Sequence, residues 1–127
     1  MISNPETRRA GTPYTGGVGT VPQVVQELVR RFRAELDARF GSRLREVRLF
    51  GSAARGQMHE DSDVDVFVVL EGFKDPDRDA IFDVVGRLWN ETDLRISPTI
   101  MDRALVDEWR RQERPLMQEI ARDGVPF

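Results

Sequence analysis

The sequence predicts a small α/β (α+β) domain in which helices pack on a mixed sheet of three to four strands. Segments with apolar residues at three- and four-residue steps, typical of helices, alternate along the chain with short β-branched and apolar segments, typical of strands. The 127 residues correspond to one ordinary domain, and 39% hydrophobic with 32% charged residues is the balance of a globular protein.

The chain begins with a segment unlike the rest. Residues 1–20 are rich in glycine, proline and threonine and lack an apolar period, which predicts a flexible arm before a domain over residues 21–127.

The first helix is expected to have Pro22 in its first turn and to stop at Gly41. Its apolar residues recur at helical spacing: Val25, Leu28, Val29, Phe32, Leu36 and Phe40.

Three strands are predicted after this helix. Residues 44–50 alternate apolar and charged side chains, and residues 64–70 are apolar on both faces except at their start, which is typical of a buried strand. Residues 93–100 alternate again, with Asp93 and Arg95 on the polar side.

Further helices follow the second and third strands. After a loop over residues 72–77, a helix is predicted over about residues 79–90. Its apolar stripe contains Ile81, Val84, Val85, Leu88 and Trp89. The remainder is predicted to be helical, with a new start at Pro115 and a stop at Gly124. Apolar residues of this last part form a stripe wide enough for the core and for an apolar edge facing a partner.

Composition excludes several classes of protein. Without cysteine, the chain has no disulfide scaffold, cysteine-ligated zinc finger or thiol nucleophile. No apolar run approaches the roughly 18 residues of a membrane span, and no signal peptide is recognisable, so the expected location is cytoplasmic. A net charge of −3 makes a nucleic-acid partner unlikely, since contacts to phosphates need a basic field.

One segment concentrates the candidate chemistry. The turn Gly-Ser-Ala-Ala-Arg-Gly (residues 51–56) ends one predicted strand, and Asp-Val-Asp (residues 63–65) begins the next. Side chains alternate along a strand, so Asp63 and Asp65 project from one face about 6–7 Å apart. A divalent cation such as Mg²⁺ relieves the repulsion between two carboxylates, and backbone N–H groups and the serine hydroxyl of the turn can hold a phosphate.

Two other sites fail on spacing. A P-loop requires lysine and serine or threonine after its second glycine, where this chain has Gln57 and Met58. An EF-hand loop starting at Asp61 requires glycine and glutamate where the chain has Val66 and Gly72. A purely structural polar turn is the alternative for Asp-x-Asp alone, and the glycine turn at this distance favours the phosphate and metal site.

The compound motif of residues 51–56 and 61–65 resembles the signature of the DNA polymerase β-like nucleotidyltransferases. More narrowly, residues 22–127 resemble the prokaryotic minimal nucleotidyltransferases, the group with MNT-type antitoxins. The resemblance implies the palm-like nucleotidyltransferase fold. It also implies transfer of a nucleoside monophosphate from an NTP, here ATP, with two Mg²⁺ ions and release of pyrophosphate.

The resemblance assigns roles residue by residue. Asp63 and Asp65 match the metal-ligand pair, and Gly51 and Ser52 match the phosphate-binding turn. Arg55 either reaches the triphosphate or pairs with a nearby carboxylate to brace the turn.

The family places a third carboxylate on a later strand, where it binds metal and helps to deprotonate the acceptor hydroxyl. Asp93 is the best match, at the expected start of the third strand. Relatives with a similar Ile-Ser-Pro sequence carry the acid immediately before Ile96, where this chain has Arg95. Asp93 is therefore expected to be displaced by two residues on the same face, and a solvated acid without a ligand role is the alternative.

The resemblance also implies a partner. In prokaryotes such proteins resemble one half of a pair with a small helical HEPN protein, in some cases a toxin that is silenced by adenylylation. The expected function is transfer of AMP to a hydroxyl of such a protein, as the antitoxin of the pair, with a homodimer as another way to complete the acceptor site. Alternatives are a non-catalytic module that neutralises its partner by contact, and a nucleotidyltransferase for small molecules of the aminoglycoside type.

Overall fold

Helix α1, Gln23–Phe40, follows the predicted apolar period and stops where Gly41 adopts a positive φ of 55°. The computed structural model describes residues 21–59 and 61–127, so the predicted arm over residues 1–20 lies outside the described residues. A single 3₁₀ turn, Gly41–Arg43, leads into strand β1, Leu44–Phe50.

The remaining elements continue the alternation of helix and strand. The one-turn helix α2, Gly51–Ala54, precedes strand β2, Val64–Leu70, and helix α3, Asp75–Thr92. Strand β3, Ile96–Asp102, follows α3. The chain then forms helices α4 (Arg103–Arg111) and α5 (Pro115–Asp123) and strand β4 (Val125–Pro126).

The four strands form one mixed sheet in the order β3-β2-β1-β4. Strand β1 is antiparallel to both β2 and β4, whereas β2 and β3 are parallel and are therefore joined by a crossover through α3. This architecture confirms the predicted fold class.

Alternation along the strands divides the core between the two faces of the sheet. Helices α1 and α3 cover one face, where Val64, Val66 and Val68 of β2 join the larger apolar cluster. Helices α4 and α5 cover the other face, where Phe67 and Val69 of the same strand join a smaller cluster. Residues of odd number at the start of β2 therefore point to the side of α4 and α5.

Several predicted boundaries were wrong. Helix α3 begins four residues earlier than expected, because Pro76 fits its first turn and Asp77 accepts a hydrogen bond from the backbone N–H of Lys74 at 2.9 Å. Trp89, predicted on the buried stripe, is 45% exposed. Strand β4, which was not predicted, is too short for its alternation to be read from sequence.

Within residues 21–59 and 61–127, no helix combines the length and the apolar character needed to cross a membrane.

Candidate active site

The glycine turn and the first carboxylate meet at one end of the β1–β2 pair. Phe50 of β1 is the pairing partner of Asp65, so Gly51 begins α2 directly beside that side chain. Gly51 has a φ of 73°, and a Cβ added there would lie 2.3 Å from Asp65 Oδ2. Only glycine satisfies both the backbone conformation and this close approach.

The predicted phosphate-binding turn is a short helical turn. Gly51 is buried and Ser52 is half-buried, and α2 begins without a side-chain cap. The backbone N–H of Gln57 donates to the carbonyl oxygen of Ser52 at 2.8 Å and closes the loop after the helix. N–H groups in the first turn of a helix lack intrahelical acceptors, so the phosphate role of Gly51 and Ser52 stays a chemically sound prediction.

Asp65 of β2 lies on the sheet face that α4 and α5 cover, and Asp63, just before that strand, lines a cleft that Trp89 of α3 also lines. Among the described residues no donor hydrogen-bonds to the carboxylate of Asp65. Burial raises the pKa of the Asp65 carboxyl, and the negative charges of Asp63 and Glu119 raise it further, against the opposing effect of Arg55. This is the electrostatic profile of a site that favours a positive charge.

Arg95 supplies one such charge from the neighbouring strand. The parallel register pairs Val64 with Ile96, which places Asp63 and Arg95 side by side. Arg95 Nε donates to Asp63 Oδ1 at 3.0 Å, and the guanidinium carbon lies 4.9 Å from the ring centroid of Trp89. These residues line part of a cleft of about 200 Å³.

Arg55 braces the glycine turn. Its Nη1 donates to Oδ2 of Asp123 at 3.4 Å, and Asp123 is 2% exposed at the end of α5. Hydrogen bonds from Arg122 lower the pKa of the Asp123 carboxyl despite its burial, and Arg55 lowers it further. The structure therefore contains the pairing alternative for Arg55, and contact with a triphosphate stays a prediction.

Asp93 is not on a strand, which corrects the sequence-based placement. It is the C-cap of α3, with a left-handed φ of 62°, and β3 begins only at Ile96. The exposed side chain lines the same cleft as Asp63. Among the described residues no group of three His, Cys, Asp or Glu is placed to hold a metal ion, and a ligand role for Asp93 stays a prediction.

The residues present fit one hard cation. Two carboxylates on one face, one of them without a hydrogen-bond donor, are the usual protein contribution to a Mg²⁺ site. The position beside Asp63, immediately before β3, carries the guanidinium of Arg95 in place of a third carboxylate.

The residues missed from sequence come from distant segments. Glu119 of α5 contributes negative charge at Asp65, and Asp123 lies one helical turn later on the same helix. Their spacing of four residues indicates a shared helix face, but only the packing of α5 shows that this face meets the glycine turn. Arg95 could have been recognised from sequence as a site residue, because it stands immediately before Ile96, where relatives carry the third acid.

Comparisons with known proteins agree with this geometry. The family model described as nucleotidyltransferase domain matches residues 29–114. A Methanocaldococcus jannaschii protein named "Putative protein adenylyltransferase MJ0141" is 30% identical over 80 residues, which cover 62% of this chain and 81% of that protein.

Two further similarities are with a second adenylyltransferase and with a solved toxin-antitoxin structure. "Protein adenylyltransferase MntA" of Thermococcus cleftensis is 43% identical over 47 residues, or 37% of this chain and 46% of that protein. A crystal structure of the toxin-antitoxin MntA-HpeT superposes with a TM-score of 0.53 at 19% identity, covering 76% of this chain and 69% of that one, which shows a common fold.

Proposed function

Since the chain belongs to the nucleotidyltransferase domain family and is a nucleotidyltransferase enzyme, we propose that it moves AMP from ATP to a hydroxyl side chain of a partner protein. The observation that carries the proposal is the close approach of Gly51 to Asp65. It sets a phosphate-sized turn without a side chain against an acidic pair.

The transfer forms one bond and breaks another. The acceptor hydroxyl gives its proton to water, its oxygen becomes bonded to the α-phosphorus, the bond from that phosphorus to the bridging oxygen breaks, and pyrophosphate leaves with that electron pair. Asp63 and Asp65 would hold a Mg²⁺ ion, which offsets the charge of the triphosphate when bound. Gly51 and Ser52 would orient the phosphates, with Arg55 keeping the turn in place. We place the protein in the cytoplasm, where it would meet ATP.

We propose a small helical protein of the HEPN type as the acceptor, with this chain as the antitoxin of the pair. The relatives named as protein adenylyltransferases and the fold shared with an MntA toxin-antitoxin structure support this choice.

The test is to co-purify the chain with the product of its neighbouring gene, add ATP and Mg²⁺, and measure the intact mass of both proteins. A gain of one AMP unit or multiples of it on the partner is expected. Asp63→Asn should abolish the gain, and Asp83→Asn, on the exposed side of α3, should retain it. A stable complex whose mass never changes would leave neutralisation by contact as the function.

A further inference from the structure

Arg95 is held against the acidic pair from two sides. Its Nε donates to Asp63 Oδ1 at 3.0 Å, and its guanidinium stacks at 4.9 Å over the ring of Trp89. Its carbonyl oxygen accepts a hydrogen bond from the backbone N–H of Val64 at 2.8 Å. The register of β2 against β3 therefore fixes the position of the Arg95 guanidinium.

The ion pair leaves most of the donors of Arg95 unused. Only Nε is bound to Asp63, and among the described residues no group accepts a hydrogen bond from either Nη. A guanidinium presents five N–H donors in a planar fork that matches phosphate oxygens. Arg95 can therefore hold Asp63 and bind a phosphate at the same time.

The charges near the pair set the number of cations. The residue immediately before β3 is Arg95, and the side chains of β3 that follow on this face are Ser97, Thr99 and Met101, so this edge contributes no carboxylate. Two divalent ions about 3.5–4 Å apart next to an arginine would need more carboxylate ligands than Asp63 and Asp65 provide, and the triphosphate would have to balance most of their four positive charges. One divalent ion together with the guanidinium matches the acidic pair better.

We propose that the site takes a single divalent cation on Asp63 and Asp65 and that Arg95 provides the second positive charge by binding a phosphate of the nucleotide through its Nη groups. The inference rests on the proposed function, in which this site binds a nucleoside triphosphate. It makes Arg95 a residue for nucleotide binding and transfer.

The experiment counts ions and measures affinity without requiring transfer. A non-hydrolysable ATP analogue is titrated into the protein with Mn²⁺, and bound Mn²⁺ per bound nucleotide is determined by electron paramagnetic resonance. The wild type should bind one Mn²⁺ per nucleotide. Arg95→Gln should weaken analogue binding about ten- to a hundredfold, the effect of losing hydrogen bonds to a charged group. Arg95→Asp should bind two Mn²⁺, because it supplies a third carboxylate.

A matched control is Arg103→Gln. Arg103 pairs with Glu71 at 3.4 Å just beyond the other end of β3, and its side chain is 46% exposed against 51% for Arg95. This variant should bind the analogue like the wild type. Circular dichroism should show all three variants folded, since both arginines are half exposed.

Two results would overturn the inference while leaving the proposed function intact. They are two Mn²⁺ per nucleotide in the wild type, and undiminished analogue binding by Arg95→Gln. A wild type that binds no analogue would instead remove the proposed function together with this inference. If the analogue binds with one Mn²⁺ but no AMP is transferred to the partner, only the proposed acceptor is contradicted.

Discussion

At the scale of single residues, Gly51 couples the backbone of the turn to the side chain of Asp65. Gly51→Ala places a methyl group where Asp65 Oδ2 now lies and also strains a backbone with a φ of 73°. The strain alone costs about 1 kcal/mol or more. We expect lower stability together with loss of nucleotide binding, measured by urea denaturation and calorimetric titration.

Gly41→Ala is the control for that experiment. Gly41 also has a positive φ, of 55°, yet a Cβ there meets nothing within 4 Å. This variant should lose stability and keep its affinity for nucleotide. Equal affinity in both variants would show that the close approach of Gly51 to Asp65 has no part in the site.

Asp93 gives a second prediction at this scale. Asparagine tolerates the left-handed conformation that Asp93 adopts as the C-cap of α3. Asp93→Asn should therefore leave stability within about 0.5 kcal/mol of the wild type and retain most of the transfer activity, measured by denaturation and by intact mass. A severe loss of activity with intact nucleotide binding would establish Asp93 as the third carboxylate predicted from sequence.

At the scale of elements, sequence periodicity correctly predicted the strands whose formation depends on local residue pattern. Alternation and β-branching placed β1 and β2, and the motif spacing placed Asp63 and Asp65 at the start of a strand. The boundary between α3 and β3 could not be predicted in this way. Residues 93–95 alternate in polarity like a strand, but the helix continues to Thr92 and Asp93 ends it with a positive φ. The negative charge that Glu119 of α5 adds to the site could not be predicted either, because it depends on packing between distant segments.

The link between α2 and α5 is the subject of a third prediction. Asp123 is buried and accepts hydrogen bonds from Arg55 and Arg122. Asp123→Asn should lower the free energy of unfolding at pH 7 by about 1.5–3 kcal/mol, the range for hydrogen bonds to charged groups. Asp37→Asn, which breaks an exposed pair with Arg33, should cost less than about 1 kcal/mol. Urea denaturation measures both.

The effect of Asp123→Asn should depend on pH. The pKa of Asp123 is lowered from its ordinary value of 3.8, chiefly by its hydrogen bonds with Arg122. A group whose pKa is lower in the folded state stabilises the protein fully above its unfolded pKa, and the stabilisation is lost as pH falls through the folded value. The difference between wild type and variant should therefore be constant near neutrality and shrink below about pH 3.8. A difference that persists at lower pH would mean that packing, not charge, is responsible.

At the scale of the whole molecule, nucleotide binding should stabilise the entire fold. The candidate residues lie in α2, in β2 and immediately before β2 and β3, so the site exists only when these elements are assembled. A ligand at a hundred times its Kd adds about 2.7 kcal/mol to the free energy of unfolding. ATP with Mg²⁺ should raise the melting temperature by several degrees, clearly more than ATP with EDTA.

The acidic pair is responsible for the difference between those two conditions. A variant carrying both Asp63→Asn and Asp65→Asn should melt at the same temperature with ATP whether Mg²⁺ or EDTA is present. Differential scanning fluorimetry is sufficient for the comparison. If the variant still distinguishes Mg²⁺ from EDTA, the cation binds elsewhere.

The division of the core between the two sheet faces has a consequence for protein engineering. The larger apolar cluster lies under α1 and α3, while Asp65 lies on the opposite face, near Glu119 of α5. Substitutions that improve packing or surface charge along the outer side of α1 need not move Asp65, whereas Trp89 on α3 has to be kept because Arg95 stacks on its ring. Thermal stability and catalytic activity can therefore be optimised in separate variant libraries, and the best substitutions can then be combined in one chain.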